Sequence, residues 1–144
     1  MTPPRDPVEA LRRSLDARAA GLWCVAGDRL QLAAFAPAPD LPAAVAEGFA
    51  RATDSVGLDQ TSLGIVQAAM TARPAVSVAA ALPAEVGSGR WLRAFGASRS
   101  VAVPLGDSSG RVVMVLSVAL PEGPDGDEVI AERVWQFGQR LPTP

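Results

Sequence analysis

The sequence predicts an α+β fold: an antiparallel sheet of about five strands, with terminal helices on one face and short helices and loops on the other. Three observations carry this. Residues 97–120 hold two Val-rich apolar runs around Gly106-Asp107-Ser108-Ser109-Gly110, which is the pattern of a long β-hairpin. Residues 22–26 and 30–36 repeat it on a smaller scale around Gly27-Asp28-Arg29. Both ends of the chain carry apolar stripes of helical period, Val8-Leu11-Leu15 and Ile130-Val134-Phe137-Leu141.

In chain order, Asp6-Pro7-Val8-Glu9 is a helix start, with Asp6 as cap, Pro7 in the first turn and Glu9 able to close a capping box. This helix runs over about 6–19, with Arg12, Arg13 and Asp16 off its apolar stripe. In the first hairpin Trp23 and Val25 share one face and Leu22, Cys24 and Ala26 the other. Asp40 caps a helix over 41 to about 53, on which Val45 and Phe49 align; Gly48 weakens it. Residues 54–60 read as loop. Thr61 or Ser62 caps a helix from 63 to about 72, with Leu63, Val66 and Met70 on one side and Pro74 as the stop. Residues 75–80 form a short strand and 81–89 a loop, mobile at Gly87-Ser88-Gly89. Residues 90–95 form a short helix bearing Trp91, Leu92 and Phe95, closed by Gly96. In the central hairpin Pro104 has no N–H, so its nitrogen lies at a strand end, bulge or edge. Residues 111–120 are nearly all apolar, as in a strand covered on both faces. Asp125 to Glu128 opens the last helix, which ends before Pro142.

The composition excludes much chemistry. The chain of 144 residues is 49% hydrophobic and 19% charged, and its net charge is −2. It suits one globular domain over 1–144 and gives no electrostatic case for nucleic acid or an anionic membrane. His, Lys, Asn and Tyr are absent. There is thus no His-based triad, haem or metal site, no Schiff base and no phosphate-loop lysine. Cys24 is the single cysteine, so no internal disulfide forms, which suits a reducing cytosol. A polar N-terminus without a signal core, and the lack of a long apolar run, predict a soluble cytoplasmic protein.

This layout, from about residue 21 to 141, resembles a GAF domain. The local strings that carry the resemblance are Ser62-Leu63-Gly64-Ile65-Val66-Gln67-Ala68-Ala69-Met70 followed by Arg73-Pro74-Ala75-Val76-Ser77-Val78, then Trp91 with Gly96 and Ser98-Arg99-Ser100-Val101-Ala102-Val103-Pro104-Leu105, then Gly110-Arg111-Val112-Val113-Met114-Val115-Leu116. Met114 stands where the family often has glycine, and Ala79-Ala80-Ala81 where it often has an acidic residue. Without Asn or Lys the cyclic-nucleotide signature cannot be written. The Cys-His pair of bilin-binding members and the several cysteines of methionine sulfoxide reductases are also missing.

The resemblance implies a pocket between the sheet and the short helices, near Trp91, Phe95, Arg99 and Ser100. In that pocket Arg99 would hold a carboxylate or phosphate and Trp91 would stack on a planar ligand, against bland roles as a surface ion pair and a core residue. Trp23 and Phe35 face each other across the first hairpin as core. Cys24 is a buried strand residue unless it is exposed and acidified. Asp107-Ser108-Ser109 is a turn, and Asp125, Asp127 and Glu128 belong to a helix cap.

The expected function is a non-catalytic small-molecule-sensing or regulatory module, not an enzyme and without a cofactor. The 81–89 loop and the Trp91 helix would enclose the ligand, and the terminal helices would relay the change. Homodimerisation through those helices (Leu15, Trp135, Leu141) and a signalling partner protein complete this reading, since no output domain is visible. The alternative is an interaction or dimerisation scaffold with no ligand, its pocket filled by its own side chains.

Overall fold

A computed structural model describes residues 6–85 and 87–141. The polar N-terminus at 1–5, Val86 of the expected loop and the Pro142 stop lie outside the described residues. The elements are α1 (Pro7–Leu15), β1 (Ala19–Ala26), β2 (Arg29–Pro37), α2 (Ala43–Ala52), β3 (Ser55–Gly57), α3 (Gly64–Thr71), β4 (Ala75–Val78), a 3₁₀ turn (Ala79–Ala81), α4 (Gly87–Phe95), β5 (Arg99–Gly106), β6 (Val112–Leu120) and α5 (Asp127–Gly138). The six strands form one antiparallel sheet in the order β3-β2-β1-β6-β5-β4.

The sheet separates two packed layers. On one face α1 lays Val8 and Leu11 over β1 and β2, in one core with Ala20 and Ala36, and α5 lays Ile130 and Val134 over β5 and β6, with Val101, Val103, Leu116 and Val118. On the other, α3 covers Trp23, Ala102 and Val115, and α2 and α4 cover Ala19 and Ala119. β6 is one of the two central strands and is used by both layers, which is why all of its residues but Ser117 are apolar. Pro104 pairs with Val115 of β6 but lies beyond the last β4 pair, Ala75 with Ala102. Its missing N–H therefore removes no bond from that side of the ladder.

Several expectations are corrected. The sheet has six strands and not five among the described residues: β3 lies in the segment read as loop and pairs with Arg29, Leu30 and Gln31 at the sheet edge. Three residues are too short for an alternation signal. α1 stops at Leu15, four residues early, because Asp16 turns left-handed (φ 51°) and sends its N–H back to Arg12 and Arg13. Asp6 caps as expected, through Val8 N at 2.9 Å, but the Glu9 carboxylate is taken by Arg12. Arg12 is buried, with Nη1 on the Ala17 carbonyl at 3.2 Å.

Asp40 does not cap α2, which begins after Pro42; Asp40 accepts from Arg18 at 2.8 Å. Neither Thr61 nor Ser62 caps α3, whose N-cap is Leu63. The α3 residues that bury are Gly64, Ile65, Val66 and Ala68, while Met70 is exposed. α5 likewise has Gly126 and no side chain at its cap. Gly87-Ser88-Gly89 is not a loop but the first turn of α4, and Gly89 is buried. Gly96 does end α4 with φ 73°.

Candidate functional site

Strand alternation brings Ala19, Gly21 and Trp23 of β1, Ser100 of β5 and Ser117 and Ala119 of β6 to the face under α2–α4. There they floor a partly open cavity of about 60 Å³. α4 roofs it with Trp91, Leu92 and Phe95, α2 contributes Phe49, and the start of α3 closes the end with Gly64 and Ile65.

Phe35 reaches this face through an irregularity. Leu22 pairs with Ala34 while Trp23 pairs with Leu32, so Ala33 is the extra residue of a β-bulge. The bulge reverses the parity of β2. Leu30 and Leu32 pack with Trp23, whereas Ala34 and Ala36 pack under the terminal helices. Phe35, between them, joins the cavity side. Phe35 pairs with Gly21, and the Trp23 ring lies over that glycine: a Cβ there would stand 2.5 Å from Trp23 Cη2. Trp23 and Phe35 thus share a face as expected, joined through Phe49, whose centroid is 6.1 Å from Trp23 and 5.1 Å from Phe35. The Trp23 Nε1–H donates to the carbonyl of buried Thr53 at 3.0 Å, which fixes the indole.

Two arginines hold the roof. Arg93 Nη2 donates to the carbonyls of Ala79 (2.7 Å) and Leu82 (3.2 Å), and its Nη1 to Gly89 (3.1 Å). Arg18 Nε donates to the Phe95 carbonyl at 2.8 Å, while its Nη1 meets Asp40. That guanidinium holds the Asp40 carboxyl below its ordinary pKa. Ser88 Oγ accepts from Gly64 N at 3.2 Å and so pins the first turn of α4 to the start of α3.

Of the four residues expected at a ligand, Trp91, Phe95 and Ser100 line the cavity together. Arg99 does not. It precedes Ser100 in β5, so its side chain leaves the opposite face of the sheet. There its Nη1 donates to Asp127 Oδ1 and its Nη2 to the Asp125 carbonyl, both at 2.6 Å. Arg99 therefore ties β5 to the start of α5. Period-two alternation alone already forbids Arg99 and Ser100 from sharing a wall. Phe49, Ser88 and Ser117 were missed; the α2 stripe marked Phe49 as inward, but nothing local marked its target.

Cys24 is half-buried on the α1/α5 face. Asp107 Oδ1 accepts from Ser109 N, Ser109 Oγ and Arg111 N, which makes the expected turn and lowers its pKa, chiefly through Ser109. Leu15 and Leu141 pack against their own core, whereas Trp135 is 45% exposed. Among the described residues no group of three potential metal ligands occurs, and no helix is long and apolar enough to cross a membrane.

The fold is that of GAF domains. The GAF domain/HD domain protein from Geobacter sulfurreducens superposes with a TM-score of 0.64 over 94% of this chain and 87% of its own, at 15% identity. The GAF domain of a two-component sensor histidine kinase from Bacillus halodurans gives 0.58, over 96% and 100%, at 14% identity. Free methionine-R-sulfoxide reductase from Neisseria meningitidis, in complex with its substrate, gives 0.62, over 92% and 69%, at 18% identity. No family model and no curated protein matches the sequence. The reductase corrects one expectation. Exclusion of an enzyme does not stand, because the same fold, at comparable similarity, belongs to a catalyst.

Proposed function

We propose that this chain is a sensory or regulatory module that encloses a small molecule between the sheet and helices α2–α4, against Trp91, Phe95 and Ser100. The observation that carries this is the cavity itself, inside the layer packing and lined by apolar and hydroxyl side chains. The enclosing element is α4 with its arginine-held ends. The occurrence of the same fold in a sensor histidine kinase supports the reading. Copies of the chain pair through the terminal helices, a role for which Trp135 is an exposed apolar side chain, and a signalling partner protein in the cytoplasm receives the output.

Native mass spectrometry of the purified protein, followed by denaturation, tests this. A co-purifying small molecule, lost from Trp91→Ala, is the expected result. A clean protein with no thermal shift across a metabolite and nucleotide panel refutes it. That outcome favours a second reading, an interaction scaffold without a ligand. Its supporting observation is that five aromatic rings already fill most of the space beneath α4.

A further inference from the structure

We propose that the cavity is built for an uncharged, planar aromatic molecule of one or two fused rings, and that the phenyl ring of Phe49 holds its place when none is bound. This rests on the ligand-binding reading above and names its chemical class.

With Arg99 committed to α5, none of the residues lining the cavity is charged. An ion moved there would lose its water and gain no counter-ion. The nearby guanidiniums are spent, Arg93 on three carbonyls and Arg18 on Phe95 and Asp40. At the start of α3 the Gly64 amide already donates to Ser88, and those of Val66 and Gln67 to the Leu63 carbonyl. Arg90 is exposed and its guanidinium lies 5.2 Å from the centroid of the Trp91 ring, outside the lining.

The shape of the aromatic cluster matches a ring. Phe49 touches all four other rings of the cluster, with centroids 6.1 Å from Trp23, 5.1 Å from Phe35, 5.3 Å from Trp91 and 5.0 Å from Phe95. Three of these four contacts are edge-to-face, the arrangement that ring quadrupoles favour. The surroundings are thus formed for an aromatic ring. The free space of about 60 Å³ is well short of the roughly 150 Å³ of a cavity that takes benzene, so a ring enters only where Phe49 leaves.

Phe49 can leave because of where it sits. α2 has no fully buried residue and no side-chain cap, and it carries Gly48 in its interior. α4, by contrast, is held at both ends by arginines. The moving part is therefore α2. On the floor, Ser100 and Ser117 stand on paired strands two residues off register, because Ser100 pairs with Ala119 and Ala102 with Ser117. Among the described residues neither hydroxyl bonds to another side chain or a carbonyl. They give the ligand one polar edge, as in a phenol or an indole.

The test uses phenol, indole and toluene as neutral probes, with benzoate and benzylammonium as charged ones. Each is titrated into the wild-type protein while the Phe49 ring resonances are followed by NMR. Saturable binding of phenol and indole with displacement of Phe49 is expected, and binding of the charged rings at least tenfold weaker. Phe49→Ala should tighten phenol tenfold or more, and Phe49→Leu, the milder variant should Ala not fold, by a smaller factor. Ser100→Ala should reduce the preference for phenol over toluene. Failure of all neutral rings at millimolar concentration, equal binding of benzoate, or weaker binding in every folded Phe49 variant overturns the proposal. If a charged metabolite instead binds in the cavity, the sensing reading stands and the ring class falls. If no molecule of either kind binds, both fall.

Discussion

Replacing Arg99 with Met separates its observed role from the one its neighbours in sequence suggest. The wild-type side chain is 15% exposed and makes two charge-assisted hydrogen bonds of 2.6 Å, to Asp127 Oδ1 and the Asp125 carbonyl. Fully buried, each would be worth about 1.5–3 kcal/mol. Asp127 is 46% exposed, so water replaces much of what the carboxylate loses. Met keeps the apolar stem over the sheet. The expected loss is therefore about 1–2 kcal/mol, or about 3–8 °C in melting temperature for a domain of this size. Urea denaturation measures the loss, and amide exchange at the first turn of α5 locates it. The cavity lies across the sheet, so ligand-induced thermal shifts should persist in Arg99→Met. An unchanged urea midpoint together with a lost ligand response would refute this assignment and place the guanidinium in the binding site.

Three further outcomes are expected. In Gly89→Ala a new Cβ would stand 2.1 Å from the Pro83 carbonyl oxygen, a backbone atom that cannot swing aside; the cost is about 2 kcal/mol or more by thermal denaturation, with quenched or shifted Trp91 fluorescence as α4 lifts. Ala72 ends α3 at φ 56°, a left-handed conformation costing an L-residue about 1–2 kcal/mol, so Ala72→Gly should stabilise by about 0.5–1 kcal/mol after the added freedom of the unfolded chain is offset. The Arg12 hydrogen bond, with charge from Arg12 and Arg13, holds the Glu9 carboxyl below its ordinary value of 4.5. Its stabilisation is thus present above about pH 4.5 and disappears as pH falls through the lower folded value. Glu9 is 29% exposed, which limits the effect to about 1 kcal/mol or less, and Glu9→Gln should flatten that acid limb of the stability–pH curve.

Elements that depend on local chemistry were legible in the chain. Asp6-Pro7 starts α1, Gly96 ends α4, and Asp107 folds the turn of the central hairpin, each through contacts within a few residues. The nearly all-apolar run of β6 announced a strand covered on two faces, and α3 and α5 do cover it. Trp23 and Val25 separated from Leu22 and Cys24 by simple alternation.

Where alternation was interrupted or not applied, the site was misread. The bulge at Ala33 turns Phe35 toward the cavity and Ala34 and Ala36 away from it, and nothing in the string Leu32-Ala33-Ala34-Phe35 announces an extra residue. β3 exists only because β2 offers it a partner edge, since three residues alone have no strand signal. Arg12 looks like a surface residue on a helical wheel, but the left-handed turn at Asp16 brings the Ala17 carbonyl within its reach.

The sequence by itself determined the class of fold, the two hairpins and the terminal helices. Those follow from period, turn chemistry and hydropathy, which are properties of neighbours along the chain. Only the tertiary structure decided that Arg99 serves α5 and that Phe49 stands at the centre of the aromatic cluster. Both are pairings between segments far apart in sequence. Their partners are chosen by how α2 and α5 dock on opposite faces of the sheet, and no local pattern encodes that docking.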